Sequence, residues 1–428
     1  MKITLKDFKD AQERIKSTVR HTPLDISNTL SKISEGKIYL KCENLQKTGS
    51  FKIRGATNKI AKIAKEKKCK TVVTASAGNH AQGVAYAANK FKIKPIIVMP
   101  DMTPIAKVDA TRGYGGQVVL SGSCFDDAYK ASQTIVKKEK AVYVHPYNDY
   151  DVIIGQGTLG LEILEDLKDV DVVVVPAGGG GLLSGVATAI KLSNPKIKVI
   201  GVQAENANAI ALSYKKKRKV VTETSKTIAE GISVKNPGDL TLPLIYKYVD
   251  DVVTVSEEEI AGAIFFLMER NKLVVEGAGA VSVAAILNDK VNVTNKKVVC
   301  ILSGGNIDFT FINTLLEKAM YSHNRRVKLF VLLPSDTKTI NSFYYLLMKT
   351  NINILNLHID TSSAFGAIGE TQLTILCEIA DARHKQHVIK ALQDNGYQIM
   401  TERESGDRYL YVSKKGRKNY FSNDPIKK

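Results

Sequence analysis

The sequence predicts an α/β protein: two lobes of mainly parallel sheet, then a separate βαββαβ unit. Three observations carry that prediction. Strand-like segments alternate with helical ones from residue 37 to residue 302, and such alternation argues for parallel strands joined by right-handed crossovers. The later strands of that region are near-continuous apolar runs such as DVVVV (171–175) and KVVCIL (297–302), which fit strands buried on both faces. From Asn324 onward the order becomes β-α-β-β-α-β, the split βαβ pattern.

Residues 1–20 read as an amphipathic helix, because Phe8, Ala11, Ile15 and Val19 recur at helical spacing. The stretch HTPL (21–24) breaks it. KIYLK (37–41) is a short strand leading into KTGSFKIRGA (47–56), and the ATNKIAKIAKEKK that follows has helical periodicity. A first series of strands is TVVTAS (71–76), PIIVM (95–99), QVVL (117–120) and AVYVH (141–145), separated by segments of helical composition. A second series is DVVVV (171–175), KVIGV (198–202), DVVTV (251–255) and KVVCIL (297–302). The first series is expected as a small lobe, about 48–148, inserted into a domain spanning 1–323. A second domain is expected over 324–412. Its strands are 327–333, 354–359, 372–379 and 397–400, with a candidate fifth at 409–412, and its helices are 337–349 and 382–393. Residues 413–428 form a basic tail.

Composition narrows the function classes. The 428 residues suffice for two or three domains with sizeable cores, and 44% hydrophobic with 24% charged residues is the balance of an ordinary soluble globular protein. Cys42, Cys69, Cys124, Cys300 and Cys377 are scattered and odd in number, which fits neither a disulfide framework nor a zinc site; the cytoplasm is the expected compartment. The first sixteen residues are charged throughout, unlike a signal peptide, and no apolar run has membrane-spanning length. The net charge of +18 raises the question of nucleic acid. The charge is spread along the chain, however. Its two clusters, KKKRK (215–219) and the tail, are not interleaved with several aromatics, so solvated loops and anionic small ligands are expected instead of nucleic acid.

Four stretches carry chemistry. In KTGSFKIRGA, Lys52 lies between Phe51 and Ile53. An apolar pocket disfavours an ammonium and suits a Schiff-base nucleophile; the stretch taken alone favours the plainer reading of a lysine with a buried stem and a wet head. Gly178, Gly179, Gly180 and Gly181 follow a strand and precede the helical LLSGVATAIK. Their amides and the helix start make a cup for a phosphate; a plain turn needs fewer glycines. The sequence Ser76-Ala77-Gly78-Asn79-His80 ends another strand and offers a carboxylate site at a helix start, or an ordinary N-cap. Ser303-Gly304-Gly305-Asn306 ends the last strand of the large lobe; it could approach a flat heterocycle, or be a turn. A lysine, a phosphate cup and polar groups at the carboxyl ends of strands together point to pyridoxal phosphate.

SFKIRGA, SAGNHAQG, GGGG and SGGN, in that order, resemble the fold-type II pyridoxal-phosphate enzymes, which are tryptophan-synthase-β-like in fold, in their threonine/serine dehydratase branch. The resemblance runs from about residue 7 to 323, and the C-terminal part looks like an ACT domain. It implies that Lys52 is the catalytic lysine bonded to the cofactor. Phe51 and Asn79 would contact the ring, Gly178 to Leu182 the phosphate, and Ser303 the pyridine nitrogen. The substrate would be held by Ser76, Ala77, Gly78 and His80, with Asn148 nearby. The implied reaction is water elimination from L-threonine to 2-oxobutanoate and ammonia, and from L-serine to pyruvate.

The same resemblance sets this chain apart from serine racemases. Those have a serine acid/base where Ala77 stands, and a metal-site aspartate where Ala211 follows Glu205 and Ala209, so no required divalent metal is expected. After the second strand of the C-terminal domain His358 and Asp360 are present, but the arginine that often follows in ACT relatives is not. The resemblance further implies a homodimer or homotetramer and an amino-acid or nucleotide effector. The alternatives are a serine racemase, a β-replacement enzyme, and a non-catalytic amino-acid sensor.

Overall fold

The computed structural model describes residues 3–67, 69–223, 225–361, 368–402 and 408–411. The basic tail and residues 362–367 of the segment after the second C-terminal strand lie outside these. The chain folds as two compact units, Met1–Asp308 and Phe309–Lys428. The helix Phe309–Ser322 therefore groups with the second unit, whereas the sequence reading placed it in the first.

The first unit contains two sheets. The larger is built from β1 (Leu24–Ile26), β2 (Lys37–Cys42), β7 (Val172–Pro176), β8 (Lys198–Ala204), β9 (Asp251–Val255) and β10 (Lys297–Leu302), in the order β1-β2-β10-β7-β8-β9. All its pairs are parallel except β1 with β2. The smaller contains β3 (Thr71–Ala75), β4 (Lys94–Met99), β5 (Gln117–Leu120) and β6 (Val142–Tyr143), in the order β5-β4-β3-β6, all parallel. Its sequence falls between β2 and β7 of the larger sheet. The edge strand β1 is not read from the sequence, since three residues with two exposed carry no periodic signal. The strand expected over 141–145 shortens to Val142–Tyr143, with one further pairing from Val144 N to Val73 O at 2.8 Å before Pro146 removes a donor.

Register decides where the site forms. Strand β10 pairs with β2 from Lys297↔Lys37 to Leu302↔Cys42, so both strands end side by side. The residues just beyond then meet: Phe51 N donates to Ser303 O at 3.0 Å, and Ser50 bridges Gly304. Three helices pack behind this junction, Lys52–Lys65, Tyr150–Asp166 and Gly181–Ser193. They approach through glycines. A Cβ on Gly185 would lie 2.3 Å from Ile153 O, and one on Gly155 2.7 Å from Gly55 Cα. Leu159, Ile163, Val173, Val175, Leu183 and Val186 form the core on this side, while Ile60, Val72, Val84 and Ile97 form that of the smaller sheet.

The second unit carries one antiparallel sheet of β11 (Arg326–Pro334), β12 (Asn353–Asp360), β13 (Glu370–Glu378), β14 (Gln398–Glu402) and β15 (Arg408–Tyr411), ordered β12-β13-β11-β14-β15. Helices Thr337–Lys349 and Ala382–Asp394 start at Asp336 and Asp381, whose carboxylates accept from Thr339 N at 2.9 Å and His384 N at 2.8 Å. Phe343, Leu347, Val388 and Leu392 cover Leu329, Val331, Leu373 and Ile375. Among the described residues, no helix is long and apolar enough to cross a membrane.

Candidate active site

A cavity of about 620 Å³ opens at the carboxyl ends of the strands of the first unit. Its wall includes Phe51, Lys52, residues 76–80, residues 178–182, Glu276, Ala278, Ser303 and Asn306. The four sequence stretches are thus brought to one place, because β2 and β10 are neighbours and β3 and β7 end toward the same opening.

Lys52 is the first residue of its helix, and Nζ donates to Pro146 O at 3.2 Å. Desolvation pulls its ammonium down to about 8, against the opposing pull of the Glu276 carboxylate. About a tenth of this amine is therefore neutral, and so nucleophilic, at pH 7, far more than of a solvated lysine.

The four glycines form a cradle that side chains would fill. A Cβ on Gly179 would sit 2.5 Å from the Tyr147 ring, and one on Gly181 2.9 Å from Tyr147 Cβ. Gly180 has φ +94°, where a Cβ would also meet Thr241 Oγ1 at 2.6 Å. The carbonyl of Gly179 is held by Thr241 Oγ1 at 2.9 Å and by Gly238 N at 3.2 Å. Gly181 opens the helix Gly181–Ser193, so the amides here belong to a first turn that has no intrahelical acceptors. This is an anion-binding geometry.

On the facing side, Ser76 Oγ accepts from Gly78 N at 3.3 Å and Asn79 opens the helix Asn79–Lys90. The Asn79 amide nitrogen donates to Glu276 Oε1 at 2.7 Å, and its oxygen accepts from Asn306 Nδ2 at 2.6 Å. Ser303 is buried, with Oγ donating to Ala278 O at 3.2 Å.

Two expected substrate residues behave differently from the rest. His80 lines the cavity, but its ring is buried and its Nε2 bonds Val144 O at 2.9 Å. Desolvation, reinforced by Lys52, pushes its pKa down to about 3, so the imidazole is neutral. Asn148 is not in the cavity wall; its Oδ1 accepts from Leu240 N at 2.8 Å and thereby holds the 238–241 turn that supports Gly179. His145, whose Nδ1 accepts from Tyr147 N at 3.2 Å and Asn148 N at 2.8 Å, shapes the turn that places Tyr147.

The sequence marks Asn306 only as the end of SGGN, without a role, and does not single out Glu276, Tyr147, or the 225–236 segment that lines the mouth. There Lys107 Nζ meets Glu230 Oε2 at 2.8 Å across the opening. Glu276 has a trace in the sequence: a lone carboxylate in the apolar and glycine-rich VVEGAGA. Desolvation pushes its carboxyl up to about 6, with the Asn79 hydrogen bond opposing.

Residues 15–304 match the family described as pyridoxal-phosphate dependent enzyme. The chain belongs to that family. It is 49% identical over 397 residues to an L-threonine ammonia-lyase of Thermotoga maritima, covering 93% of this chain and 99% of that one. A solved threonine deaminase from Solanum lycopersicum is similar at 36% identity and TM-score 0.70, covering 73% of this chain and 87% of that one. A solved maize serine racemase is similar at 36% identity and TM-score 0.70, covering 75% and 99%. The solved neighbours are fold-type II enzymes, and the cofactor of this family is pyridoxal phosphate. The glycine cradle, the first-turn amides and the desolvated lysine of this cavity fit that group.

Proposed function

We propose that this enzyme is an L-threonine ammonia-lyase, releasing 2-oxobutanoate and ammonia from threonine and pyruvate from serine. What carries the reading is the likeness to the Thermotoga L-threonine ammonia-lyase across 93% of the chain, with Lys52 and the glycine cradle facing one cavity. Purified holoenzyme with L-threonine should form 2-oxobutanoate; from L-serine it should form pyruvate, with little D-serine. Ala77 occupies the place from which a racemase would protonate the other face, so D-serine as the main product would sink the lyase reading in favour of racemisation.

The family resemblance implies roles for residues of the cavity wall, and the geometry is compatible with them. When bound, pyridoxal phosphate acts as the electron sink for the substrate's α-carbon. Lys52 Nζ would hold it, and as a neutral amine in the cavity wall Lys52 would serve as the base that takes the substrate's α-proton. Amides of Gly178 to Leu182 would receive the phosphate, Phe51 would pack on the ring, and Asn79 would donate to the ring oxygen. Ser76, Ala77 and Gly78, at a helix start, receive the substrate carboxylate. His80 is neutral and serves in packing, its Nε2–H donating to Val144 O. Ser303 would meet the ring nitrogen with a hydroxyl, not a carboxylate, which would leave the ring a weaker electron sink and suit elimination.

Two predictions test these roles. Gly179→Ala should weaken cofactor binding by roughly tenfold or more, because the Tyr147 ring must move to admit a Cβ; absorbance titration of the apoenzyme measures it, and unchanged affinity would remove the phosphate from this cradle. The rate of cofactor capture should rise about tenfold per pH unit below about 8 and level off above, because only the neutral amine attacks. Since the folded pKa of Lys52 lies below its ordinary 10.5, the buried ammonium weakens the apoprotein below about 8, and that cost fades as pH approaches 10.5. Stopped-flow absorbance reads the capture rate; a midpoint near 10.5 would show a solvated lysine instead.

The split βαβ topology of the second unit supports reading residues 324–412, which follow the helix Phe309–Ser322, as an ACT-like regulatory domain, and the first unit as the catalytic domain with its small lobe inserted at about 48–148. A homodimer or homotetramer in the cytoplasm completes the proposal. Initial rates on threonine with and without isoleucine, valine and AMP test regulation, and unchanged rates with all three would remove these as effectors.

A further inference from the structure

Glu276 ends a hydrogen-bonded chain whose polarity is fixed at both ends. The Thr48 carbonyl only accepts, so the Asn306 atom 2.9 Å from it is the amide nitrogen. That nitrogen's other hydrogen goes to Asn79 Oδ1 at 2.6 Å. The Asn79 oxygen therefore faces Asn306, and its nitrogen faces Glu276 Oε1 at 2.7 Å. An ionised carboxylate also only accepts. Flipping the Asn79 amide would set oxygen against carboxylate oxygen and nitrogen against nitrogen, so both ends enforce one orientation.

Counting hydrogens gives the consequence. Asn306 Nδ2 uses both of its hydrogens. Asn79 Nδ2 uses one on Glu276, and no acceptor for the other is present among the described residues, while Asn79 lines the cavity. Glu276 is itself anchored, its backbone N donating to Gly304 O at 3.0 Å. A Cβ on Gly304 would lie 2.4 Å from Glu276 Oε1, so the first glycine of SGGN makes room for this carboxylate.

We propose that Glu276 is a positioning residue: with Asn306 and Thr48 it locks the Asn79 amide so that one N–H is presented to the cofactor's ring oxygen. The inference rests on the reading of Asn79 as a ring contact given above. A donor at that oxygen favours its ionised form, which absorbs in the visible, over the neutral form, which absorbs in the near ultraviolet. Asn79→Ala removes the donor, Glu276→Ala releases its orientation, and Glu276→Gln keeps an oxygen that accepts from Asn79.

The test compares absorbance spectra and cofactor affinities of the holoenzyme with those of these variants and the double alanine variant. Glu276→Ala should move intensity from the visible to the near-ultraviolet band, in the same direction as Asn79→Ala. It should also weaken cofactor binding by about tenfold. The double variant should shift no further than Asn79→Ala, since one residue acts through the other. Glu276→Gln should restore the spectrum. If the alanine variant does not fold, Glu276→Met fills the space without an acceptor and gives the same comparison. A shift in Asn79→Ala with none in Glu276→Ala overturns the positioning role and leaves the ring contact standing, as does full additivity in the double variant. An unchanged spectrum in Asn79→Ala overturns both.

Discussion

Lys52→Ala is expected to lower threonine turnover by about 10³-fold or more and to abolish covalent capture of the cofactor, while leaving a folded protein. The same nitrogen serves as anchor and as base, so no second residue retains half of the function. Folding should survive because the substitution removes a group that burial penalises: the ammonium is held down to about 8, and nothing but Pro146 O accepts from it among the described residues. The apoprotein of the variant should be at least as stable as wild type below pH 8, with the difference fading toward 10.5. Two measurements check this. The 2-oxobutanoate assay gives the rate, and borohydride reduction followed by peptide mass mapping should tag Lys52 in wild type and no lysine in the variant. A tag on Lys107 or Lys235, which also line the cavity, would remove Lys52 from the chemistry.

The parts of this site that were legible in the sequence are those that are contiguous. KTGSFKIRGA, SAGNH, GGGG and SGGN each sit at the end of a strand, so their composition alone marks a backbone shaped to meet a ligand. The strands themselves were legible for the same reason, since DVVVV or KVVCIL needs no partner to look buried. What depends on register was hidden. Glu276 bonds Asn79 across 197 positions of sequence, and Tyr147 meets Gly179 only because β6 and β7 end toward the same opening. Asn148 shows the converse: it lies among residues of the right types, yet its side chain serves the Leu240 turn, because the hydrogen bond of a single amide is decided by packing that no local pattern records.

Register also explains why Arg54 matters more than its place in a motif suggests. It lies 2% exposed, donating to both Glu43 oxygens at 2.7 Å and meeting Glu162 Oε2 at 2.6 Å. Glu162 also meets Lys41, itself fully buried, at 3.0 Å, and Lys41 reaches Asp166 at 2.8 Å. Arg54→Met is expected to cost about 3–5 kcal/mol, because it leaves Glu43 and Glu162 as desolvated carboxylates short of a cation. Arg54→Lys should fall between, since it keeps the charge but loses the fork that grips both oxygens. Denaturant unfolding measures both variants. The pH dependence separates this cause from simple loss of packing. Arg54 and Lys41 hold the Glu162 carboxyl below its ordinary 4.5, so that stabilisation is present above 4.5 and lost as pH falls through the lowered value. In Arg54→Met the Glu162 carboxylate takes up a proton more readily, so the gap from wild type should narrow on acidification below 4.5. A gap that stays constant would make the loss one of packing, and a cost under about 1 kcal/mol would show that the buried ion cluster is dispensable. Arg54 lies two positions beyond Lys52 in the same helix, which makes the cluster the anchor of the helix start that aims the lysine. Loss of the anchor should therefore also lower kcat at temperatures where the variant remains folded.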